Sequence, residues 1–207
     1  MAGIIGIVKN GNGGKDDNGD EEVVPEAIVG TISGHDYVDL GVSVKWATCN
    51  VGADNPEDYG DYFAWGETST KDSYDNDNSK TWEEDFYWDI GGNADYDAAR
   101  ANWGEAWRMP TKEEFDELLN SCEWEWTTRG GRWGYEVRGN GGSIFLPVAG
   151  VRLGASLNYA GEGGHYWSST PHEGDAQGAW DLSLCSGGRR AYWCGRCVGL
   201  PVRPVAE

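Results

Sequence analysis

Apolar residues recur at helical spacing in one stretch of the chain, at Phe115, Leu118, Leu119 and Cys122. Steps of three and four residues place such side chains on one face of a helix. Thr111, followed three residues later by a glutamate, supplies a capping box at the start of that stretch. The pattern therefore predicts an amphipathic helix after residue 111, with Cys122 as a buried and unreactive thiol.

Most other apolar positions alternate with polar ones, which is typical of short strands. The predicted strands are residues 36–41, 44–51, 60–67, 123–128, 133–138, 143–147, 165–169, 179–184 and 199–205. The sequences RGGR and GNGG connect three of them as hairpins. A short helix is predicted near residues 95–104, capped by Asp95 or Asp97. These elements indicate an α+β class with short antiparallel sheets, a few helices and long loops.

Three segments interrupt the regular patterns. Residues 9–22 are rich in glycine, asparagine and aspartate, so we expect residues 1–34 to form an attachment segment with a linker, and residues 35–207 to form the folded domain. Residues 68–96 form a long acidic insertion, which is typical of a functional or mobile loop. Residues 185–198 fit neither helical nor strand periodicity, and we expect them to form an irregular surface segment.

Charge narrows the classes of partner. The chain has 16 basic and 35 acidic residues and a net charge of −19, which argues against binding nucleic acid. Residues 151–203 differ, because they hold five arginines and four acids and are rich in aromatic residues. That composition is typical of a contact surface. The sequence contains no run of 18 apolar residues, so it predicts no membrane span. The first residues do not match a secretory signal.

Five cysteines, an odd number, favour free thiols over a disulfide framework. Two of them, Cys194 and Cys197, form a Cys-x-x-Cys motif that also fits a redox or zinc site. His165, His172 and Cys185 are the further zinc ligands that the sequence offers, without regular spacing.

The acidic stretch DSYDNDN, residues 72–78, is a candidate calcium site, although it lacks the glycine and glutamate of an EF-hand loop. We expect a solvated acidic loop there and no cofactor.

Six ordered segments carry a resemblance over residues 36–205: VDLGVSVKWATCNVGA, EDYGDYFAWGE, ANWGEAWRMPTKEEFDELL, SIFLPVAG, YWSST and GLPVRPV. Together they resemble the C-type-lectin-like domain that formylglycine-generating enzymes share with many bacterial and phage surface proteins. The resemblance implies that fold for residues 35–207. Within this superfamily, the C-terminal part looks like the variable protein of a diversity-generating retroelement, in which adenine-rich codons, typically those for asparagine, are exchanged.

The genetic code allows a check on that resemblance. Exchange at the two adenines of an AAC codon cannot produce Trp, Met, Lys, Glu or Gln. Trp167, Trp180 and Trp193 would therefore be fixed. The irregular positions between residues 151 and 200 are all of permitted types: Leu153, Ala155, Tyr159, His165, His172, Asp181, Ser183, Cys185, Gly187, Gly188, Arg189, Arg190, Tyr192, Cys194, Gly195, Cys197 and Val198.

The resemblance implies a binding protein rather than an enzyme. Tyrosine, tryptophan and arginine side chains would anchor the ligand, and Trp193 and Arg196 complete the set of candidate residues. The expected partner is a protein or glycan receptor on a target cell, bound by a phage tail or a bacterial cell-surface protein that can act as a homo-oligomer. The alternative is a formylglycine-generating-enzyme-like metal or redox enzyme using Cys194 and Cys197, whose spacing is tighter than in that branch.

Overall fold

The computed structural model describes residues 6–8, 26–83 and 86–207. In that part of the chain, the strands form four small antiparallel sheets and the helices are few, so the predicted α+β class is confirmed. The helices are α1 (Ala98–Trp103) and α2 (Lys112–Ser121), with a 3₁₀ turn at Asn76–Asn78. The strands are β1 (Gly6–Val8), β2 (Ala27–Ile32), β3 (His35–Asp39), β4 (Lys45–Ala47), β5 (Glu123–Arg129), β6 (Arg132–Gly139), β7 (Gly142–Pro147), β8 (Val151–Leu153), β9 (Ser156–Asn158), β10 (Gly163–Pro171), β11 (Gly178–Cys185), β12 (Gly188–Gly195) and β13 (Val205–Ala206).

Helix α2 begins where the sequence predicts. The Thr111 hydroxyl accepts a hydrogen bond from the Glu114 amide at 3.2 Å, and the Glu114 carboxylate accepts one from the Thr111 amide at 2.8 Å. Phe115 and Leu118 are buried, whereas Cys122 caps the end of the helix and is only partly buried. Helix α1 is capped by Asp97, whose side chain accepts from the Arg100 amide. Both predicted helices are therefore confirmed.

Strands β5, β6 and β7 form the predicted hairpins in one three-stranded sheet. Gly130 and Gly131, with φ of 55° and 78°, make the first turn, and Asn140 and Gly141, with φ of 47° and 75°, make the second. Glycine and asparagine are the residues that adopt such left-handed conformations most readily. The turn chemistry of RGGR and GNGG therefore sets the register of this sheet.

The N-terminal sheet has the strand order β1-β2-β3-β4-β13. Because β2 pairs with β3 from Ile28 opposite Asp39 to Ile32 opposite His35, the folded unit starts before residue 35 and the expected boundary there is too late. Residues 1–5 and 9–25 of the expected attachment segment and linker lie outside the described residues. At the other end of the chain, Val205 pairs with Trp46 and closes the sheet.

Three predicted strands are wrong in extent. The strand expected at residues 44–51 shrinks to Lys45–Ala47. Residues 60–67 do not form a strand; instead, the amides of Phe63 and Trp65 bond separately to the carbonyls of Leu200 and Arg196. The strand expected at 199–205 shrinks to Val205–Ala206. Pro201 and Pro204 have no amide hydrogen to donate, so this segment cannot form a continuous ladder. Residues 188–195, in contrast, form β12, so the expectation of an irregular segment is wrong there.

Two buried clusters dominate the core. In the larger one, Phe115 and Leu118 of α2 pack with Trp46 of β4, Val137 of β6 and Leu182 of β11, so α2 joins three sheets. The smaller cluster includes residues from 51–65, 86–99 and 198–202 around Trp167. Trp65 and Trp107 are buried, while Trp103 is partly exposed and stacks on His35 at 3.7 Å.

The acidic insertion is tied to the core at several points. Tyr74 is buried and its hydroxyl donates to the Tyr62 carbonyl, while its backbone forms an isolated bridge with Gly154. Phe86 and Ile90 are also buried. The described part of the insertion is therefore anchored by apolar side chains, in contrast to the solvated loop that its charge suggests.

Arg203 is a fully buried structural residue. Its Nε donates to Asn50 Oδ1 at 2.8 Å, and its two terminal nitrogens donate to the carbonyls of Thr48 at 2.7 Å and Phe145 at 3.0 Å. A guanidinium with five donors can satisfy several carbonyls at once. Arg203 thereby connects the C-terminal segment to the loop after β4 and to β7.

Candidate functional site

Strands β10, β11 and β12 form the sheet that carries most of the candidate residues. In β11 and β12, Trp180 pairs with Trp193, Asp181 with Tyr192, and Ser183 with Arg190. Opposed residues of antiparallel strands point to the same side, and successive residues point to opposite sides. The two faces of this sheet can therefore be assigned from the register.

One face, the candidate face, carries His165, Asp181, Ser183, Arg190, Tyr192 and Cys194, and also Trp167, which lies opposite Asp181 and is buried. The opposite face, the helix-side face, consists of Trp180, Leu182, Leu184, Arg189, Ala191 and Trp193. Leu182 and Leu184 are buried in the same cluster as α2, and the Lys112 ammonium lies 5.2 Å from the Trp180 ring. Packing against α2 thus fixes which side of the sheet points inward.

Exposure on the candidate face increases toward the end of the β11–β12 hairpin. Arg190 and Tyr192 are exposed, and the guanidinium lies 4.4 Å from the tyrosine ring. Ser183 and Cys194 are partly exposed. This end of the face combines a cation, an aromatic ring and small polar groups, which is the mixture found in adaptable protein contacts.

His165 and Asp181 form a polar pair at the centre of the candidate face. Nδ1 of His165 lies 2.9 Å from Oδ1 of Asp181, whose side chain is fully buried while the imidazole is 28% exposed. The second carboxylate oxygen, Oδ2, has no hydrogen-bond partner within the described residues. Asp181 therefore orients the imidazole from below, and the expectation that Asp181 itself is an exposed ligand contact is wrong.

A second group of candidates lies on the hairpin formed by β8 and β9. Leu153 and Tyr159 are 47% and 66% exposed, and Ala155 is exposed between them. The Gly150 amide donates to the Gly163 carbonyl at 2.8 Å, which holds the hairpin beside β10. The structure thus places this group beside β10, the strand that carries His165.

The residues around the β11–β12 turn have mixed positions. Cys185 and Gly187 are exposed and Gly188 is partly exposed. Arg189 is also exposed, but belongs to the helix-side face, where its guanidinium lies 5.1 Å from the Trp124 ring and 5.9 Å from the Tyr135 ring. The turn and Arg189 are accessible to a partner, from a different side than Arg190.

His172 and Trp193 belong to an aromatic group at the opposite end of this sheet. The His172 ring lies 5.0 Å from the Trp180 ring and 4.8 Å from the Trp193 ring. The Trp180 indole donates to Glu173 at 3.1 Å, and hydrogen bonds from its own backbone and from Trp180 lower the Glu173 pKa. His172 is therefore held by ring contacts away from the hairpin tip.

The segment after β12 turns inward. Arg196 is fully buried, with Nε bonded to the Gly178 carbonyl at 3.0 Å and one terminal nitrogen bonded to the Phe86 carbonyl at 2.7 Å. Its guanidinium lies 4.5 Å from the Trp65 ring. Cys197 is 9% exposed, while Gly195 and Val198 are partly exposed. The expected role of Arg196 as an exposed anchor is therefore wrong, as is exposure of Cys197, because both side chains fill the core.

The thiols of the Cys-x-x-Cys motif are held in the protonated form. Burial raises the pKa of Cys194 well above its usual value, and the neighbouring Asp181 carboxylate raises it further. Burial also raises the pKa of Cys197. Because the thiolate is the reactive and metal-binding form, these surroundings disfavour nucleophilic or redox chemistry at neutral pH.

The described residues contain no group of three or more His, Cys, Asp and Glu side chains placed to hold a metal ion. In the calcium candidate at residues 72–78, the Asp75 carboxylate accepts hydrogen bonds from Ser73 at 2.9 Å and Asn78 at 3.0 Å. Asp75 thereby closes its own turn. No helix in the described part of the chain is long and apolar enough to cross a membrane.

Comparison with known proteins gives no match: no family model matches the sequence, and no curated protein or solved structure is significantly similar. What the site can bind must therefore be inferred from its own residues. Sequence reasoning missed Leu157, which is 40% exposed on the same hairpin and lies opposite Arg152. Strand β9 has only three residues, which are too few to show the alternation of apolar and polar positions that predicts a strand.

Proposed function

We propose that this chain is a ligand-binding protein with a C-type-lectin-like fold, whose C-terminal surface is diversified by a retroelement. The binding surface comprises the exposed part of the candidate face, the β11–β12 turn and the neighbouring β8–β9 hairpin. Its contact residues are Leu153, Ala155, Tyr159, His165, Ser183, Cys185, Gly187, Gly188, Arg189, Arg190, Tyr192 and Cys194. Asp181, Arg196 and Cys197 support these residues from beneath.

The observation that carries the proposal is the alternation of residue types in β11 and β12. The candidate face holds Asp181, Ser183, Arg190, Tyr192 and Cys194, all of which an adenine-exchanged AAC codon can encode. The paired tryptophans that such a codon cannot encode point to the other face, where Trp180 lies against Lys112 of α2 and Trp193 packs on His172. Exchange at the accessible positions of this face, Ser183, Arg190 and Tyr192, would leave the packing of the core unchanged, which is what a diversified binding protein needs.

The surroundings of the surface support the same function. Tyr159, Tyr192 and Leu153 are large apolar side chains left exposed, and such residues often serve as contacts when they lie close together. A rigid sheet presents them without the entropy loss of ordering a loop. We place the protein on a phage tail or on a bacterial cell surface, binding a receptor of a target cell, with homo-oligomers providing avidity.

Sequencing the gene and its flanks in many individuals of one population tests the proposal. We expect substitutions to concentrate at codons of the candidate face and the β8–β9 hairpin, at positions where a nearby imperfect repeat has adenine. Codons for Trp180 and Trp193 serve as internal controls and should not vary. Invariant candidate codons, or variation spread equally over both faces of the sheet, would contradict diversification.

A further inference from the structure

Strand β12 is the edge of its sheet, since the strand order is β10-β11-β12. All of its residues from Gly188 to Gly195 pair with β11 on one side. On the other side, the stretch from Gly188 to Trp193 has no backbone hydrogen bond to another segment of the described chain. An open edge presents a row of amide and carbonyl groups, which is the usual template for adding a strand from another chain.

Two arginines on this edge strand lack the partners that other arginines in the chain have. Arg189 and Arg190 make no ion pair within the described residues, although the chain carries 35 acids. By contrast, Arg129, Arg132 and Arg138 each pair with a carboxylate. The charge of the two neighbouring edge arginines is therefore available to a partner.

Aromatic rings hold both guanidiniums in place. Arg189 lies over Trp124 and Tyr135 on the helix-side face, and Arg190 lies over Tyr192 on the candidate face. A guanidinium that stacks on a ring keeps its in-plane N–H groups free to bind a carboxylate in a bidentate manner. The two neighbouring arginines thus offer one carboxylate site on each face of the same edge.

A groove of about 610 Å³ lies between α2 and β12. Leu119 and Asn120 of α2 line one wall, and Trp180 and Ala191 line the other. Lys112 and both edge arginines also line this groove, while Asp116 is the single lining acid among the described residues and is paired with Lys112. In a chain with a net charge of −19, this groove is locally basic and has room for the side chains of an added strand.

From these observations we infer that β12 binds an extended acidic peptide segment of a partner protein as a fourth strand. Because successive side chains of a strand point to opposite faces, two adjacent acidic residues of the partner would meet Arg189 and Arg190 at the same time. Backbone hydrogen bonds would supply affinity and the acidic pair would supply register. This inference rests on the proposed binding function and specifies its partner as a protein.

Selection of a random octapeptide library against the intact chain tests the inference. We expect enrichment of peptides with two adjacent acidic residues, and about tenfold weaker binding of the best synthetic peptide to Arg189→Ala and to Arg190→Ala. Arg138→Ala is the matched control, since it removes an exposed arginine of a different sheet, and it should bind as the original chain does. Peptides in which the two acids are replaced by Asn and Gln should also bind about tenfold more weakly.

Backbone methylation distinguishes strand addition from ordinary charge attraction. An added strand uses alternate amides, so N-methylation at one set of alternate peptide positions should abolish binding, while methylation at the other set should preserve it. Equal effects of the two sets, failure to enrich any peptide, or full binding by the arginine variants would overturn the inference. Peptide binding that is lost in Tyr159→Ala but is unchanged in Arg189→Ala and Arg190→Ala would refute strand addition. The proposed binding surface would remain supported in that case.

Discussion

His165 and Asp181 form a hydrogen-bonded pair, 2.9 Å from Nδ1 to Oδ1, in which the carboxylate is fully buried and the imidazole reaches the surface. A buried carboxylate is stable in a protein only when hydrogen bonds or an opposite charge compensate its lost hydration. His165 supplies that compensation at one oxygen. The pair therefore connects a residue of the proposed binding surface to the stability of the sheet beneath it.

The first prediction concerns the coupling within this pair. His165→Ala should lower the free energy of unfolding by about 1–3 kcal/mol, because it leaves a buried acceptor unsatisfied. In a double-mutant cycle with Asp181→Ala, the two effects should fall short of additivity by about 0.5–3 kcal/mol. Urea unfolding of the four proteins measures this term, and strict additivity would show that the contact contributes nothing.

The second prediction concerns the buried face of α2. Leu118 is fully buried in the cluster that joins the helix to three sheets, so Leu118→Ala should destabilise the protein by about 2–5 kcal/mol through the cavity that it leaves. Asn120→Ala, on the exposed side of the same helix, should change stability by no more than about 0.5 kcal/mol. Equal effects in chemical denaturation would contradict the observed helix orientation.

The third prediction concerns Arg203. Its replacement by methionine keeps much of the volume but removes the donors to Asn50 and to the carbonyls of Thr48 and Phe145. Each buried acceptor left without a donor costs about 1–3 kcal/mol, so the total loss should exceed about 3 kcal/mol. Arg138→Met, which breaks an exposed ion pair, should cost about 0–1 kcal/mol in the same thermal or urea unfolding experiment.

The fourth prediction concerns thiol reactivity. At pH 8, a maleimide should label exposed Cys185 first, and the partly buried Cys122 and Cys194 much more slowly, because desolvation raises the pKa of both thiols. Mass spectrometry of labelled peptides measures the order, and Cys185→Ser should remove the fast phase. Fast labelling of Cys194 in the folded chain would contradict its protonated state.

The Cys122 thiol also predicts a direction for alkaline stability. Burial raises its pKa from 9.0 to about 11, so the folded state holds this proton more tightly than the unfolded state does. The resulting stabilisation is complete below pH 9 and is lost as the pH rises toward 11. In urea unfolding over this range, Cys122→Ala should show a shallower decline than the original chain, and identical slopes would contradict the shift.

Local signals in the sequence predict the elements whose geometry is determined locally. The capping box at Thr111 and the glycine turns at residues 130–131 and 140–141 determine α2 and the β5–β7 sheet, and both predictions are confirmed. Pairing between distant segments leaves no such local signal. Residues 60–67 look like a strand, but their partners are the carbonyls of an irregular segment more than a hundred residues away.

The same contrast between local signals and long-range contacts applies to the candidate site. The sequence finds the exposed residues of the β11–β12 hairpin, but not which face each occupies, because that depends on the contact of Leu182 and Leu184 with α2. It also assigns Arg196 to the surface, where a charged side chain is expected. Carbonyl acceptors at Gly178 and Phe86 and the ring of Trp65 make its burial tolerable, and these groups come together only in the folded chain.

The pairing of β12 with β11 over its whole length has a consequence for how this surface can change. Removing or inserting a single residue within Gly188–Gly195 would shift the pairing register and rotate every side chain beyond it to the other side of the sheet. Tyr192 would then lie on the helix-side face, and Trp193 on the candidate face. Diversification of this strand is therefore restricted to substitutions that keep the number of residues constant.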